Sequence, residues 1–268
     1  MIEKKFLAMV VALLCILPLV LADNGNIFDD GVMLKARAMS VIMVSSILVT
    51  AVVILAIISR KLGNHKRMLF LLMLIPVIVA TFYTAGTTIY LNQISVTKGP
   101  VHWHADFEVW NCGEKVDFRN PQGLSNRVGT PVFHEHDDFR IHVEGVVVKT
   151  EDVSLGNFFN VAGGTLTQDT LQVPTNKGVV LSNDGDLCDG KPGKIQVFAY
   201  KIDNPEEHGD WIFTQQKIED HSSYLLSPYS LVPPGDCIII EFDQEKEKTD
   251  KICTTYQVAI DQGELHGS

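Results

Sequence analysis

Methionine is missing from residues 92–268, because all seven methionines of the 268-residue chain fall within residues 1–73. With no thioether there, and with its cysteines expected to be oxidised, that portion is ill suited to carry Cu(I) or to build a blue-copper site, which pairs a thiolate with two imidazoles. Basic charge is also short. Fourteen Lys and Arg stand against 28 Asp and Glu, a formal charge of −14. The basic stripe that a phosphate backbone demands does not exist, so nucleic acid is excluded as a partner. No Cys-x-x-Cys occurs, which removes zinc ribbons and thioredoxin-type redox sites. The chain also lacks a His-Glu-x-x-His, a Gly-x-Ser-x-Gly and a phosphate-binding glycine loop, which removes zincin proteases, nucleophile-elbow hydrolases and P-loop enzymes. Asn183-Asp184-Gly185-Asp186 resembles a calcium loop, but its glycine is misplaced for that pattern, and it reads as a solvated turn beside a disulfide.

The N-terminal third is short of charge of either sign, with eight Lys and Arg and four Asp and Glu in residues 1–91. Glu3-Lys4-Lys5, the apolar run 6–21 and Ala22 make residues 1–22 a signal peptide or, uncleaved, an anchor. Residues 23–37 follow as a short extracytoplasmic segment. Residues 38–59 and 68–91 contain no charged side chain, and each can cross a hydrocarbon core of about 30 Å. Between them, residues 60–67 carry four Lys and Arg. Such loops stay cytoplasmic, which predicts a transmembrane helical hairpin at the cell membrane with residues 92–268 on the extracytoplasmic side. Neither span holds an ionisable group, so conduction by this chain alone is not expected. Ser46/Thr50 and Thr81/Ala85 have the small-xxx-small spacing that packs such a hairpin or recruits another membrane protein.

Cys15 lies in the leader; the other four cysteines, Cys112, Cys188, Cys237 and Cys253, lie in the outer portion. An even number in an oxidising compartment predicts two disulfides, and of the three possible pairings the one joining the sequence neighbours Cys237 and Cys253 is expected. Histidine is concentrated in the same portion. It holds eight of the nine, and five fall between positions 102 and 142. Around the first cluster, Trp103, Ala105, Phe107 and Val109 alternate with His102, His104, Asp106 and Glu108, the period-2 pattern of a half-buried strand. A second cluster follows 32 residues later, with His134, His136, Asp138, Arg140, His142 and Glu144 on one side of an extended chain. Glu135 and Asp137 fall on its apolar side, which also allows a loop at the His-Glu-His-Asp stretch.

Two His at i and i+2 on a strand project side by side, and a second pair on a facing strand completes a ligand set for one ion. The expected metal ligands are His102, His104, His134, His136 and His142. Asp106, Glu108, Asp138 and Glu144 are the expected ligands or partners that hold the imidazole tautomers. The rest reads as scaffold. A short helix is expected at 151–162, strands at 165–173, 178–182, 194–202 and 237–242, and a helix at 252–260.

The runs His-Trp-His-Ala-Asp-Phe-Glu-Val-Trp, Cys-Gly-Glu-Lys, His-Glu-His-Asp-Asp-Phe-Arg-Ile-His-Val-Glu-Gly, Ser-Leu-Gly-Asn-Phe-Phe and Pro-Pro-Gly-Asp-Cys-Ile-Ile resemble a group of uncharacterised membrane-anchored archaeal proteins. The resemblance covers most of residues 100–253; it implies an extracytoplasmic domain and carries no established activity. A second, partial resemblance is to the first cupin motif, which places Glu after His-x-His as at His102, His104 and Glu108. Gly99 and Gly113 depart from that motif's glycine spacing. The expected fold is therefore a transmembrane hairpin followed by a mostly-β domain, a small barrel or sandwich with short helices. The expected function is binding of a divalent transition metal, Cu²⁺ or Zn²⁺, for capture or delivery at the membrane. The alternatives are a cupin-like metal-dependent enzyme with Glu108 or Glu144 as base, and a metal-free accessory subunit or adhesion domain of a membrane complex. No catalytic residue is assigned.

Overall fold

A computed structural model describes residues 30–58 and 65–268. The leader at 1–22, residues 23–29 of the segment 23–37 and the loop residues 59–64 lie outside the described residues. The described chain divides into two compact units that meet between Ile94 and Ser95.

The first unit consists of α1 (Asp30–Ile58) and α2 (Lys66–Ile94), which pack against each other. Each has 29 residues, about 43 Å at 1.5 Å per residue, enough to span a bilayer with tilt. Ala38, Val41, Ser45 and Leu48 form the buried line along α1, spaced by threes and fours as one helix face requires. Ser46, Thr50, Thr81 and Ala85 are all exposed, so the hairpin does not pack through the small-residue pairs the sequence suggested. The hydroxyls of Thr81, Thr84 and Thr88 donate to carbonyls one turn back, at 2.8, 2.7 and 2.9 Å. That satisfies them within the helix, as a span through lipid would require.

The second unit begins with β1 (Pro100–Asn111), β2 (Glu114–Val116), β3 (Val128–Gly129), β4 (Phe133–Glu135) and β5 (Arg140–Val146). A 3₁₀ turn (Thr150–Val153) leads into α3 (Leu155–Val161). Then come β6 (Thr165–Leu166), β7 (Thr170–Thr175), β8 (Gly178–Asn183), β9 (Leu187–Cys188), β10 (Lys191–Pro192), β11 (Lys194–Ile202) and β12 (Trp211–Ile218). β13 (Cys237–Asp243), α4 (Thr254–Asp261) and β14 (Leu265–Gly267) complete the domain. The expected helix at 151–162 is broken because Ser154 is extended and its hydroxyl caps Asn157 N–H, restarting the chain as α3. The expected strand at 165–173 is a hairpin, β6 and β7, turned by Thr167 and Asp169.

Nine strands form one open sheet in the order β14-β12-β11-β13-β1-β5-β4-β3, with β2 paired to the far end of β1. β1 runs parallel to β13 and antiparallel to β5. The edges β3 and β14 are two and three residues long and are not neighbours, so the sheet does not close and the barrel alternative is corrected to a sandwich. One face buries Phe107, Val109, Ile141, Val143, Val197, Ile238 and Ile240 against α3 and the β6–β8 sheet. On the other face, Phe198, Tyr200, Ile239 and Leu265 pack with Tyr256 and Ala259 of α4. β13 therefore reads as an unbroken apolar run, Ile238-Ile239-Ile240, because both its faces are covered.

The four outer cysteines form two pairs. Cys237 joins Cys253 and ties the start of β13 to the residue that opens α4, while Cys112 joins Cys188 across 76 residues of chain.

Candidate metal centre

Alternation along β1 sends Ala105, Phe107 and Val109 into the main core and turns His102, His104, Asp106 and Glu108 to the opposite face. Register then decides their neighbours. His102 lies opposite Glu144, His104 opposite His142, and Asp106 opposite Arg140. His142 in turn lies opposite His134 on β4. His104, His142 and His134 thus form a row across three adjacent strands. Their ring centroids are 4.6 and 5.5 Å apart, close to the strand spacing of about 4.8 Å.

His136 joins the row from a turn. β4 ends at Glu135 and the chain bends through Asp137 and Phe139, both at positive φ (69° and 54°), so the second cluster is not one extended strand. The bend folds His136 over His134, with the two Nε2 atoms 3.0 Å apart. Glu135, the acid on the apolar side, explains the turn. It is buried and accepts the backbone N–H groups of Asp137 and Asp138. Burial pushes its carboxyl upward despite those bonds.

Four of the five imidazoles have one nitrogen engaged by an oxygen acceptor. His104 Nδ1 donates to the Ser230 carbonyl at 2.6 Å, and His136 Nδ1 donates to the Asn126 carbonyl. His142 Nε2 donates to Asp138 Oδ2 at 3.1 Å, and His102 Nε2 lies 3.1 Å from Glu144 Oε1. This is how protein-bound metals have their imidazoles held: the outer nitrogen is anchored and the inner one keeps its lone pair. Several of the remaining ring nitrogens are short of partners. His104 Nε2, His134 Nδ1 and His142 Nδ1 are buried without a hydrogen bond.

Ligand atoms of His102, His104 and His142 lie within 4.8 Å of one another, as do those of His134, His136 and His142. These are the two groups of three or more His, Cys, Asp or Glu among the described residues that could hold an ion. Two Zn–N bonds of 2.0–2.1 Å at a tetrahedral angle separate their nitrogens by about 3.3 Å, so the His134–His136 spacing fits an ion after a small shift. Burial lowers the His134 pKa to about 4, and the neighbouring His136 adds to the effect; burial lowers that of His104 as well. Both rings are neutral at pH 7, the state a metal requires.

The expected carboxylates divide. Glu144 and Asp138 touch histidines. Asp106 is held by Arg140 Nε at 2.6 Å, and Glu108 accepts from Lys115 Nζ at 2.7 Å and Trp110 Nε1 at 3.1 Å. Glu108 does not join either group, so the cupin-like arrangement of His102, His104 and Glu108 around one ion is not formed.

Two contributors escaped the sequence reading because they act through backbone. The Tyr229–Gly235 segment runs along β1, with His104 N–H donating to the Tyr229 carbonyl at 2.7 Å and His104 Nδ1 to Ser230. Gly235 makes that approach possible, since a Cβ there would stand 2.2 Å from the His104 carbonyl oxygen. Gly129 does the same beside His134, where a Cβ would meet the Phe133 carbonyl at 2.5 Å. The glycine in Pro-Pro-Gly-Asp was the available signal for the first. No protein family, curated protein or solved structure matches the chain.

Proposed function

We propose that the extracytoplasmic domain binds a divalent transition metal, Cu²⁺ or Zn²⁺, through His102, His104, His134, His136 and His142, and that the helical hairpin keeps this site at the membrane for capture or delivery of the ion. The observation that carries the reading is the three-strand row His104–His142–His134, in which His104 and His142 each have one nitrogen anchored by a carbonyl or carboxylate and the other buried without a partner, while His134 Nε2 faces His136 Nε2. Imidazole donors with nearby carboxylate suit Zn²⁺ and Cu²⁺, and the absence of methionine and free thiol from the domain argues against Cu(I). His102 follows Ile94, the last residue of α2, by only eight positions, which keeps a bound ion on a short tether. An accessory domain that binds no metal would be expected to scatter its histidines, whereas these five gather on one face.

Calorimetric titration of the full chain in detergent with Zn²⁺ and with Cu²⁺ tests the reading. Saturable binding that is lost in His104→Ala/His142→Ala supports it. Equal heats from the wild type and that variant contradict it.

A further inference from the structure

The two histidine groups are not equivalent, and they share a ligand. His102 is 60% exposed at its side chain, whereas His134 is 2% exposed and His142 10%. The outer group therefore meets solvent through His102, and the inner group is more deeply buried, with only His136 half-exposed. His142 belongs to both. Its Nε2–H is committed to the Asp138 carboxylate, which can only accept, so one lone pair remains, on the buried Nδ1. A neutral His142 can serve one ion, not two. Glu144 spans the groups, with Oε1 3.1 Å from His102 Nε2 and Oε2 3.9 Å from His134 Nε2.

We propose that the five histidines form a two-position path for a single ion, which is captured on His102, His104 and His142 and retained on His134, His136 and His142. His142 is the ligand common to both positions, and the Glu144 carboxylate supplies negative charge along the way. Capture through an exposed imidazole is fast because one ring can exchange a water of the hydrated ion while still mobile. Retention is slow because His134 is buried and His136 is held by the Asn126 carbonyl. The path rests on the metal-binding reading above and adds to it a stoichiometry of one and a division of labour between the two pairs.

The experiment uses the full chain in detergent, loaded with Zn²⁺ or Cu²⁺, with uptake followed by stopped flow and release followed into a chelator. His102→Gln/His104→Gln is expected to slow uptake and release together, each roughly 10-fold, with affinity little changed, whereas His134→Gln/His136→Gln is expected to speed release by roughly 100-fold with uptake little changed. Glutamine keeps much of the volume and an amide, and circular dichroism with retained disulfides verifies folding of each variant. Saturation at one ion, with a mononuclear Cu²⁺ paramagnetic resonance spectrum, is expected. Two ions per chain, a spin-coupled copper pair, or equal effects of the two double variants on release would overturn the path while leaving the metal site intact. A wild type that binds no ion removes the site and the path together.

Discussion

The second face of the large sheet is built in two halves that share one sheet and one core behind it but not chemistry. Over β11, β13 and β14 it carries Phe198, Tyr200, Ile239 and Leu265, sealed by α4 and by the Cys237–Cys253 bond at its start. Over β1, β5 and β4 the same face carries His102, His104, His142, His134, Asp106, Arg140 and Glu144, and the Tyr229–Gly235 segment runs along it. β1 and β13 are adjacent and parallel, yet β1 alternates apolar with ionisable residues while β13 carries the apolar run Ile238-Ile239-Ile240 before Glu241. The first face supports both halves equally, with Ala105 and Phe107 behind the histidines and Ile238 and Ile240 behind the apolar half. A rigid apolar layer on one side therefore leaves the other free to be specialised, since strands fixed from behind set the register of the histidines and the Ser230 and Asn126 carbonyls then fix their rings.

The sharpest way to break this contrast is to delete a large side chain on the sealed half. Phe198→Ala is expected to cost about 3–5 kcal/mol, whereas His104→Leu on the open half is expected to stay within about 1 kcal/mol. Urea denaturation of the two variants without metal compares them directly. Removing the long staple with Cys112→Ser/Cys188→Ser is expected to cost about 2–4 kcal/mol, because it closes a large loop of the unfolded chain, and thermal unfolding of the reduced and oxidised forms reports it. Metal should then act on the open half alone. At about 100 times its dissociation constant an ion adds about 2.7 kcal/mol of stability, expected in the wild type and in Phe198→Ala but absent from His104→Leu.

A subtler change targets the backbone that anchors His104. Gly235→Ala must move the Pro-Pro-Gly-Asp loop off β1, at a cost of about 1–3 kcal/mol, and should weaken metal affinity while the first face stays packed. The smallest effect expected is that of pH on the apoprotein. The His134 pKa in the fold is lowered to about 4 from an ordinary 6.5, so the unfolded chain takes up a proton first as pH falls. The stability present above 6.5 is lost as pH drops toward 4, and His134→Gln should flatten that part of the profile in thermal unfolding. A profile that rises on acidification would show the ring to be charged in the fold.

How much of this was open to sequence reading follows the same division. β8, β11 and β13 lie within a residue of the expected 178–182, 194–202 and 237–242 because their apolar runs have one interpretation. Alternation along β1 placed His102 and His104 on one face for the same reason. β12 went unseen, since Trp211–Ile218 mixes Thr, Gln and Lys and is nowhere fully buried. Pairing of His142 between His104 and His134 depends on register, which the sequence does not state, although Glu135 and Asp137 on the apolar side did allow the bend that sets it. Glu135 looked misplaced by periodicity and turned out to hold that bend. The carbonyls of Ser230 and Asn126 leave no trace in residue identity at all.

The most direct measurement is elemental analysis by mass spectrometry of the full chain, purified from membranes without chelator or histidine tag and with both disulfides intact. The account predicts close to one copper or zinc per chain, falling to background in His134→Ala/His142→Ala. Background metal in the wild type, persisting after incubation with each ion, would contradict it and leave the five histidines as a buried polar cluster of the scaffold.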